Sequence, residues 1–358
     1  MSFDPAAFAA RVVSVLPKTR PMPLHDPWLG NREIAQVSNC IDDGWVSGNG
    51  PYVERFERML AKRLGVPFVI ATNTGTAALH VALLCAGVKP GDEVMIPALT
   101  FIATANAARY CGAVPYFVDS GFNQMTAPPA LSPAAMVRVH FLGHPAILDA
   151  ADYHAVPVIE DAAEALGSTG EYRAAAALTD IGTLSFNGNK IITTGQGGAV
   201  VTPDREIAKR VRHLVNVAKV PNGSSFWHDE SGFNYRMPDL NAALGIAQLE
   251  RLDEILAKKR ALAMRYKDVF ADFPYAEFVD EPPGCRSNFW LSAFLLPDRS
   301  ARDATVAELK TASIEARTWT LVSDMPPYRD CPGGDLRVAR DLAARLVCLP
   351  SGAGAVSP

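Results

Sequence analysis

The sequence predicts an α/β protein: a large domain built on a mostly parallel, mixed sheet flanked by helices, then a smaller C-terminal α+β domain. Three observations lead there. From about residue 66, short apolar runs alternate with helical segments, the β-α repetition of a parallel sheet covered on both faces. Near residue 238 the alternation gives way to one long amphipathic stretch. The 358 residues also exceed what one ordinary core organises. The expected division is 1–250 for the large domain with its N-terminal arm, and 251–358 for the small one.

The elements follow in order. VPFVIAT (66–72) reads as a strand, TAALHVALLCAG (76–87) as a helix, DEVMIP (92–97) as a strand and IATANAARYCG (102–112) as a helix. AVPYFVD (113–119), MVRVHF (136–141) and VPVIED (156–161) are the next strands, followed by TLSF and GGAVVT. Residues 238–266 carry Leu240, Leu244, Leu249, Leu252 and Leu256 behind Pro238, so one long helix or two is expected. SNFWLSAFLLP (287–297) reads as a strand of the small domain. There is no internal repeat and no low-complexity tract.

Apolar residues make up 49% and charged residues 20% of the chain, a globular composition, and the net charge of −4 offers no attraction to nucleic acid or an anionic membrane. Any anionic ligand must be held locally. Cys40, Cys85, Cys111, Cys285, Cys331 and Cys348 show no metal-ligand spacing and read as reduced thiols of a cytoplasmic protein. The N-terminus lacks the basic region of a signal peptide, and no apolar run reaches the roughly 18 residues of a membrane span, so no targeting or anchoring is expected.

Ligands of open α/β sheets collect at the carboxyl ends of the strands, and three loops there stand out. In NTGTAALH (73–80) a strand runs through Asn73, Thr74, Gly75 and Thr76 straight into a helix. Free amides and hydroxyls converge where an anion is favoured; the plain alternative is a threonine N-cap. In VIEDAAEALGS (158–168) an apolar strand ends in Glu160 and Asp161, with Glu164 one turn on. Such a carboxylate can anchor a cationic ring nitrogen, or simply cap a helix. In LSFNGNKIITTGQGG (184–198), Lys190 is the sole charge between Asp180 and Asp204. Without an acidic neighbour, burial of a lysine favours its neutral amine, a competent nucleophile for a carbonyl; the ordinary alternative is a solvated surface lysine. Ser185 and Asn187 precede it, and a glycine-rich reversal follows.

An anion cradle, a strand-end aspartate and a lysine nucleophile together fit pyridoxal 5′-phosphate. That cofactor needs a phosphate site, a carboxylate that keeps its pyridine nitrogen protonated, and a lysine for the Schiff base. Phe101, just after a strand in PALTFIATAN, is placed to stack on the ring.

These residues also carry a resemblance. PLHDPWLGNREI, DDGWVSGNGPYVERFE, NTGTAALHVALL, GDEVMIPALTFIATANA, IEDAAEALGS, SFNGNKIITTGQGG and FNYRMPDLNAALGIAQLERL resemble, in order, the motifs of the DegT/DnrJ/EryC1/StrS sugar-nucleotide aminotransferases of fold type I. The similarity runs from about residue 22 to 350. It implies that Lys190 holds pyridoxal phosphate and that Asp161 partners its ring nitrogen, the two catalytic residues. It implies that Gly75, Thr76 and Ser185 hold the phosphate, that Phe101 stacks, and that Asn187 completes the cofactor-binding set. Asn234 of FNYRM would reach the phosphate of a neighbouring subunit's cofactor, so a homodimer with shared sites is implied. Glu164 stands where many relatives carry glutamine, so its contact with the cofactor's phenolic oxygen would need a shared proton. The chain ends at LPSGAGAVSP where relatives continue into a terminal helix, so a trimmed small domain is expected.

The function implied is transfer of an amino group from an amino acid, L-glutamate by resemblance, to the C4 ketone of a nucleotide-linked 4-keto-6-deoxy sugar in surface-polysaccharide or lipopolysaccharide biosynthesis. SFNGNKIITTG with SNFWLSAFLL looks most like the branch acting on UDP-linked N-acetylated sugars of the legionaminic acid and bacillosamine pathways. The alternatives are a perosamine-type enzyme acting on GDP-4-keto-6-deoxymannose, and a non-catalytic binding or regulatory protein on the same fold. A sugar dehydratase on this scaffold would replace the lysine. A nicotinamide enzyme is disfavoured because no GxGxxG follows an early strand. No metal site is expected: His140 and His144 stand four apart, but Gly143 and Pro145 break the helix that would align them. His80, Trp45, Arg236 and Trp319 are candidates for the border of the substrate, with packing as their ordinary role.

Overall fold

In the computed structural model, which describes residues 3–122, 124–126, 131–147, 156–170, 173–222 and 225–355, the alternating runs become one eight-stranded sheet. Its strands are β1 (Phe68–Thr72), β2 (Glu93–Pro97), β3 (Val114–Ser120), β4 (Met125–Thr126), β5 (Ala135–Val139), β6 (Val158–Asp161), β7 (Ile181–Ser185) and β8 (Gly198–Thr202), in the order β1-β8-β7-β6-β5-β2-β3-β4. The run β7-β6-β5-β2-β3 is parallel. β8 is antiparallel to both β7 and β1, so β1 runs with the parallel core and its carboxyl end opens on the same edge. Every residue of β8 and nearly all of β1, β2, β5 and β7 are buried, as a sheet covered on both faces demands.

Helices α1 (Pro5–Val15), α2 (Asn31–Asp42) and α3 (Pro51–Leu64) precede the sheet. α4 (Gly75–Cys85) packs on β7 and β8, α5 (Ile102–Tyr110) on α4 and β3, and α6 (Arg205–Val215) on β1. The amphipathic stretch from 238 resolves as two helices, α7 (Asp239–Glu250) and α8 (Leu252–Val269), which meet where Arg251 leaves helical geometry at φ −105° and ψ 2°. β9 (Lys219–Asn222) and β10 (Ser225–His228) form a separate two-stranded antiparallel sheet with Phe226 and Trp227 exposed.

The C-terminal unit is a three-stranded antiparallel sheet of β11 (Glu277–Phe278), β12 (Ser292–Leu295) and β13 (Leu346–Leu349), in the order β11-β12-β13, with α9 (Arg299–Thr311) and α10 (Arg337–Arg345). The strand expected over 287–297 is confined to Ser292–Leu295. Ahead of it, Phe289 takes a left-handed φ of 48°, and the Asn288 side chain accepts from the Trp290 amide, both incompatible with a regular strand.

The N-terminal segment belongs physically to this unit. Asp4 caps α1 by accepting from the amides of Ala6 and Ala7, Pro5 fits the first turn, and Phe8, Val12 and Val15 form one apolar stripe. That stripe packs with Tyr266, Phe270, Phe294, Leu309 and Val347 in a core separate from the one around the large sheet. The boundary placed at 250/251 therefore leaves α1 in sequence with the large domain and in space with the small one.

Candidate active site

The carboxyl edge of the parallel core gathers the three loops into one cavity of about 220 Å³. At its floor, Thr74 caps α4: its side-chain oxygen accepts from the Ala77 amide at 3.0 Å. The Gly75 and Thr76 amides, first in the helix, have no helical acceptor, and both residues line the cavity. Glycine is required here by close approach. A Cβ on Gly75 would sit 2.7 Å from the Cβ of Ser185, and one on Gly198 would sit 2.4 Å from the Thr74 carbonyl oxygen. The ends of β1 and β7 are thereby drawn against the start of β8, with Thr72 and Ser185 both paired to Gly198, and the Ser185 side chain is brought to the helix terminus.

Asp161 ends β6 on the same edge. One carboxylate oxygen accepts from the Thr104 hydroxyl at 2.7 Å and the other from the Ala163 amide at 3.2 Å, which fixes a buried anion in orientation. Beyond it, Glu164 accepts from the amide of Leu142 at 2.9 Å. Leu142 sits at φ 57°, a left-handed conformation that turns this amide toward the carboxylate. Burial pushes the Glu164 carboxyl above its ordinary range, against the opposing pull of Lys190 and the Leu142 hydrogen bond. Asn288 donates to the carbonyls of Glu164 and Leu166 at 2.8 and 3.0 Å, pinning this loop to the C-terminal unit.

Lys190 follows a turn closed by its own amide on the Asn187 carbonyl at 3.0 Å. Its side chain is only 12% exposed, with Nζ 4.1 Å from the centre of the Trp290 ring and 3.4 Å from Glu164. The expectation of a lysine without an acidic partner is corrected here: the partner is absent along the sequence and present across the fold. Trp290 is held in turn by its indole N–H on the Asn189 carbonyl at 2.7 Å. Arg317 and Trp319 close the wall from the C-terminal unit, with Trp319 edge-on to Phe141 at 4.7 Å.

Of the residues singled out in sequence, Gly75, Thr76, Phe101, Asp161, Glu164, Ser185, Asn187 and Lys190 all line this cavity, Phe101 being 58% exposed at the start of α5. Asn234 does not line it: it is exposed, and its backbone carbonyl accepts from Asn73. Trp319 lines the cavity. His80 lies among Tyr110, Phe233 and Tyr235, and Trp45 and Arg236 lie outside the lining. His140 accepts from the Ala146 amide at Nδ1, so Nε2 donates to Glu160 at 2.8 Å. His144 is buried without a hydrogen-bond partner, and burial lowers its imidazole to about 4. Sequence reasoning missed Thr104, Asn288, Trp290 and Arg317. The run NFW ahead of β12 was a visible signal, since a polar residue and a tryptophan interrupt an apolar stretch there.

An open helix N-terminus beside a hydroxyl, a buried carboxylate and a lysine in one cavity define a pyridoxal-phosphate enzyme of fold type I. The residues fit that group by the chemistry of the donor set: the helix start at Gly75 and Thr76, the Ser185 hydroxyl, the Asp161 carboxylate and the Lys190 amine all line one cavity. A profile of the DegT/DnrJ/EryC1/StrS aminotransferase family matches residues 27–355, and the chain belongs to that family. It is 38% identical to the GDP-perosamine synthase of Caulobacter vibrioides, over 92% of both chains. The GDP-perosamine synthase of Escherichia coli O157:H7 is 35% identical over 92% of this chain and 93% of its own. Among solved structures, the aminotransferase TlmJ from Streptoalloteichus hindustanus superposes with a TM-score of 0.85 at 30% identity, covering 92% of this chain and 93% of that one. The protein is a pyridoxal-phosphate-dependent sugar aminotransferase. Among the described residues no helix is long and apolar enough to cross a membrane.

Proposed function

We propose that the protein transfers an amino group from an amino acid, L-glutamate by family resemblance, to the C4 ketone of a nucleotide-linked 4-keto-6-deoxy sugar, and that the nucleotide is GDP. The observation that carries the chemistry is the convergence of Lys190, Asp161 and the Gly75–Thr76–Ser185 cradle in one cavity. GDP is favoured over the UDP-linked, N-acetylated reading by two relatives above 34% identity that bear the name GDP-perosamine synthase.

The amides of Gly75 and Thr76 and the Ser185 hydroxyl would take the phosphate at the positive end of α4. Asp161, oriented by Thr104, would hold the ring nitrogen protonated. Pyridoxal phosphate supplies the electron sink that stabilises the carbanion at the reacting carbon. Lys190 would hold the group through its amine and would serve as the base and acid that moves the proton at the reacting carbon. Glu164, whose carboxyl burial pushes above its ordinary range, would face the phenolic oxygen and share a proton with it. Trp290, Arg317 and Trp319 wall the site.

A homodimer with shared sites completes the reading, with Asn234 reaching outward to a partner. Reconstituted protein should show a visible cofactor band that Lys190→Ala abolishes. Given L-glutamate, it should then aminate GDP-linked 4-keto-6-deoxymannose faster than a UDP-linked 4-keto-N-acetyl sugar. Preference for the UDP substrate would restore the other branch. A band without turnover of either would favour a binding protein, and sedimentation as a monomer would remove the shared site.

A further inference from the structure

The large sheet has a second face, and it carries a buried cation that the chemistry above does not use. On β5, Val137 and Val139 belong to the large core, with Val139 in the wall of the active site, whereas Met136 packs with Met95 and Val118 in a separate cluster. Side chains alternate along a strand, so Arg138 stands on the Met136 face. It is 8% exposed, and among the described residues its Nε is enclosed without an acceptor. Glu160, its neighbour in register on β6, is already saturated. One Glu160 oxygen accepts from the amide and the hydroxyl of Thr179, the other from His140 and the Ala176 amide, two donors to each. Burial lowers the Arg138 guanidinium from its ordinary range, against the pull of Glu160 and Cys285, yet an arginine keeps its charge at neutral pH. A buried cation without a hydrogen-bonded counter-charge is unfavourable, and one so placed is ordinarily paired.

Arg138 lines a cavity of about 390 Å³, together with Arg173, Pro145, Ile147, Leu178 and Pro283. Arg173 is exposed. Among the described residues of this lining there is no carboxylate and no other cation, so the two arginines set the sign of the cavity. We propose that it binds a small organic phosphate, with Arg138 and Arg173 as ligands of the phosphate group and the apolar wall against the organic part. A guanidinium presents paired N–H donors in a plane that match two phosphate oxygens. The phosphate supplies the counter-charge that the sheet does not give Arg138. The proline, isoleucine and leucine side chains add apolar surface that a bare ion would leave unused. Because Arg138 faces away from the side of the sheet that holds Val139 and the active site, this ligand is distinct from the cofactor and from the sugar nucleotide, and the inference stands whichever sugar the enzyme takes.

Cofactor-loaded, desalted protein is titrated with phenyl phosphate and, separately, with inorganic phosphate at constant ionic strength, and the melting temperature is followed. Phenyl phosphate at 10 mM should raise it by about 2 °C, with half the effect reached at a concentration at least about threefold lower than for inorganic phosphate. Arg138→Met removes the charge while keeping an unbranched side chain, and it should abolish the response. No response in the wild type, or a response retained in Arg138→Met, overturns the proposal. Equal concentrations for the two probes would reduce the cavity to a site for the free ion and overturn the organic ligand. Should Arg138→Met not fold, Arg173→Glu decides: the position is exposed, so the fold is kept, and the reversed charge should abolish the response. A wild-type response in Arg173→Glu overturns the proposal as well.

Discussion

Lys190 and Glu164 are 26 residues apart in the chain and in contact in the cavity, and most of what can be tested at the residue scale concerns that pair. Lys190→Ala should lose the visible band of the bound cofactor and lower turnover by at least about 10³-fold, because both the covalent anchor and the proton carrier go together. Turnover near the wild-type rate would remove Lys190 from the mechanism. Glu164 makes a prediction about pH. Its folded-state carboxyl lies above the unfolded value of 4.5, so the folded protein holds that proton more tightly. The stability it contributes is complete below 4.5 and is lost as pH rises through the folded value. Glutamine keeps an acceptor for the Leu142 amide and has no proton to lose. Melting temperatures of cofactor-free wild type and Glu164→Gln, compared from pH 4.5 to 8, should diverge in favour of the variant as pH rises. A gap independent of pH would mean that Glu164 is not held protonated by its surroundings.

At the scale of elements, the cradle depends on how closely β8 approaches the start of α4. Gly198→Ala would place a methyl 2.4 Å from the Thr74 carbonyl oxygen, a clash with backbone that only movement of the cap relieves. A loss of about 1–3 kcal/mol in stability is expected, measured by urea unfolding. At least a tenfold weaker affinity for pyridoxal phosphate is expected as well, since the displaced amides are those that would take the phosphate. Thr74→Ala removes the cap hydrogen bond to Ala77 without a clash and should cost about 1 kcal/mol. If Gly198→Ala bound the cofactor as wild type does, the anion site would lie elsewhere than this helix terminus.

For the molecule as a whole, the packing of α1 on the C-terminal unit joins the two ends of the chain in one core. Phe8 is fully buried, its ring 4.6 Å from Phe270 and 5.5 Å from Phe294. Phe8→Ala should cost about 3–5 kcal/mol by the cavity it leaves. The loss should appear as a lower unfolding midpoint, with the cofactor affinity of the remaining folded protein within threefold of wild type, because no residue of that core lines the site. A fall in affinity matching the fall in stability would mean that the two cores do not act separately.

The sequence by itself determined the sheet-forming alternation, the glycine-bearing turns at Gly75 and Gly195–Gly198, and the acidic end of β6. Each of these is a local matter of periodicity, backbone freedom or charge at a strand end. They were enough to bring eight of the nine anticipated site residues to one cavity. Four features were decided only by the tertiary structure: the contact of Glu164 with Lys190, the orientation of Asp161 by Thr104, the wall of Trp290, Arg317 and Trp319, and the docking of α1 far from its sequence neighbours. They depend on which strands pair and which helices share a core, contacts between residues distant in sequence that no local pattern encodes. Lys190 looked solitary because sequence displays only neighbours along the chain. The parallel crossover from β6 to β7 folds Glu164 back to within 3.4 Å of it.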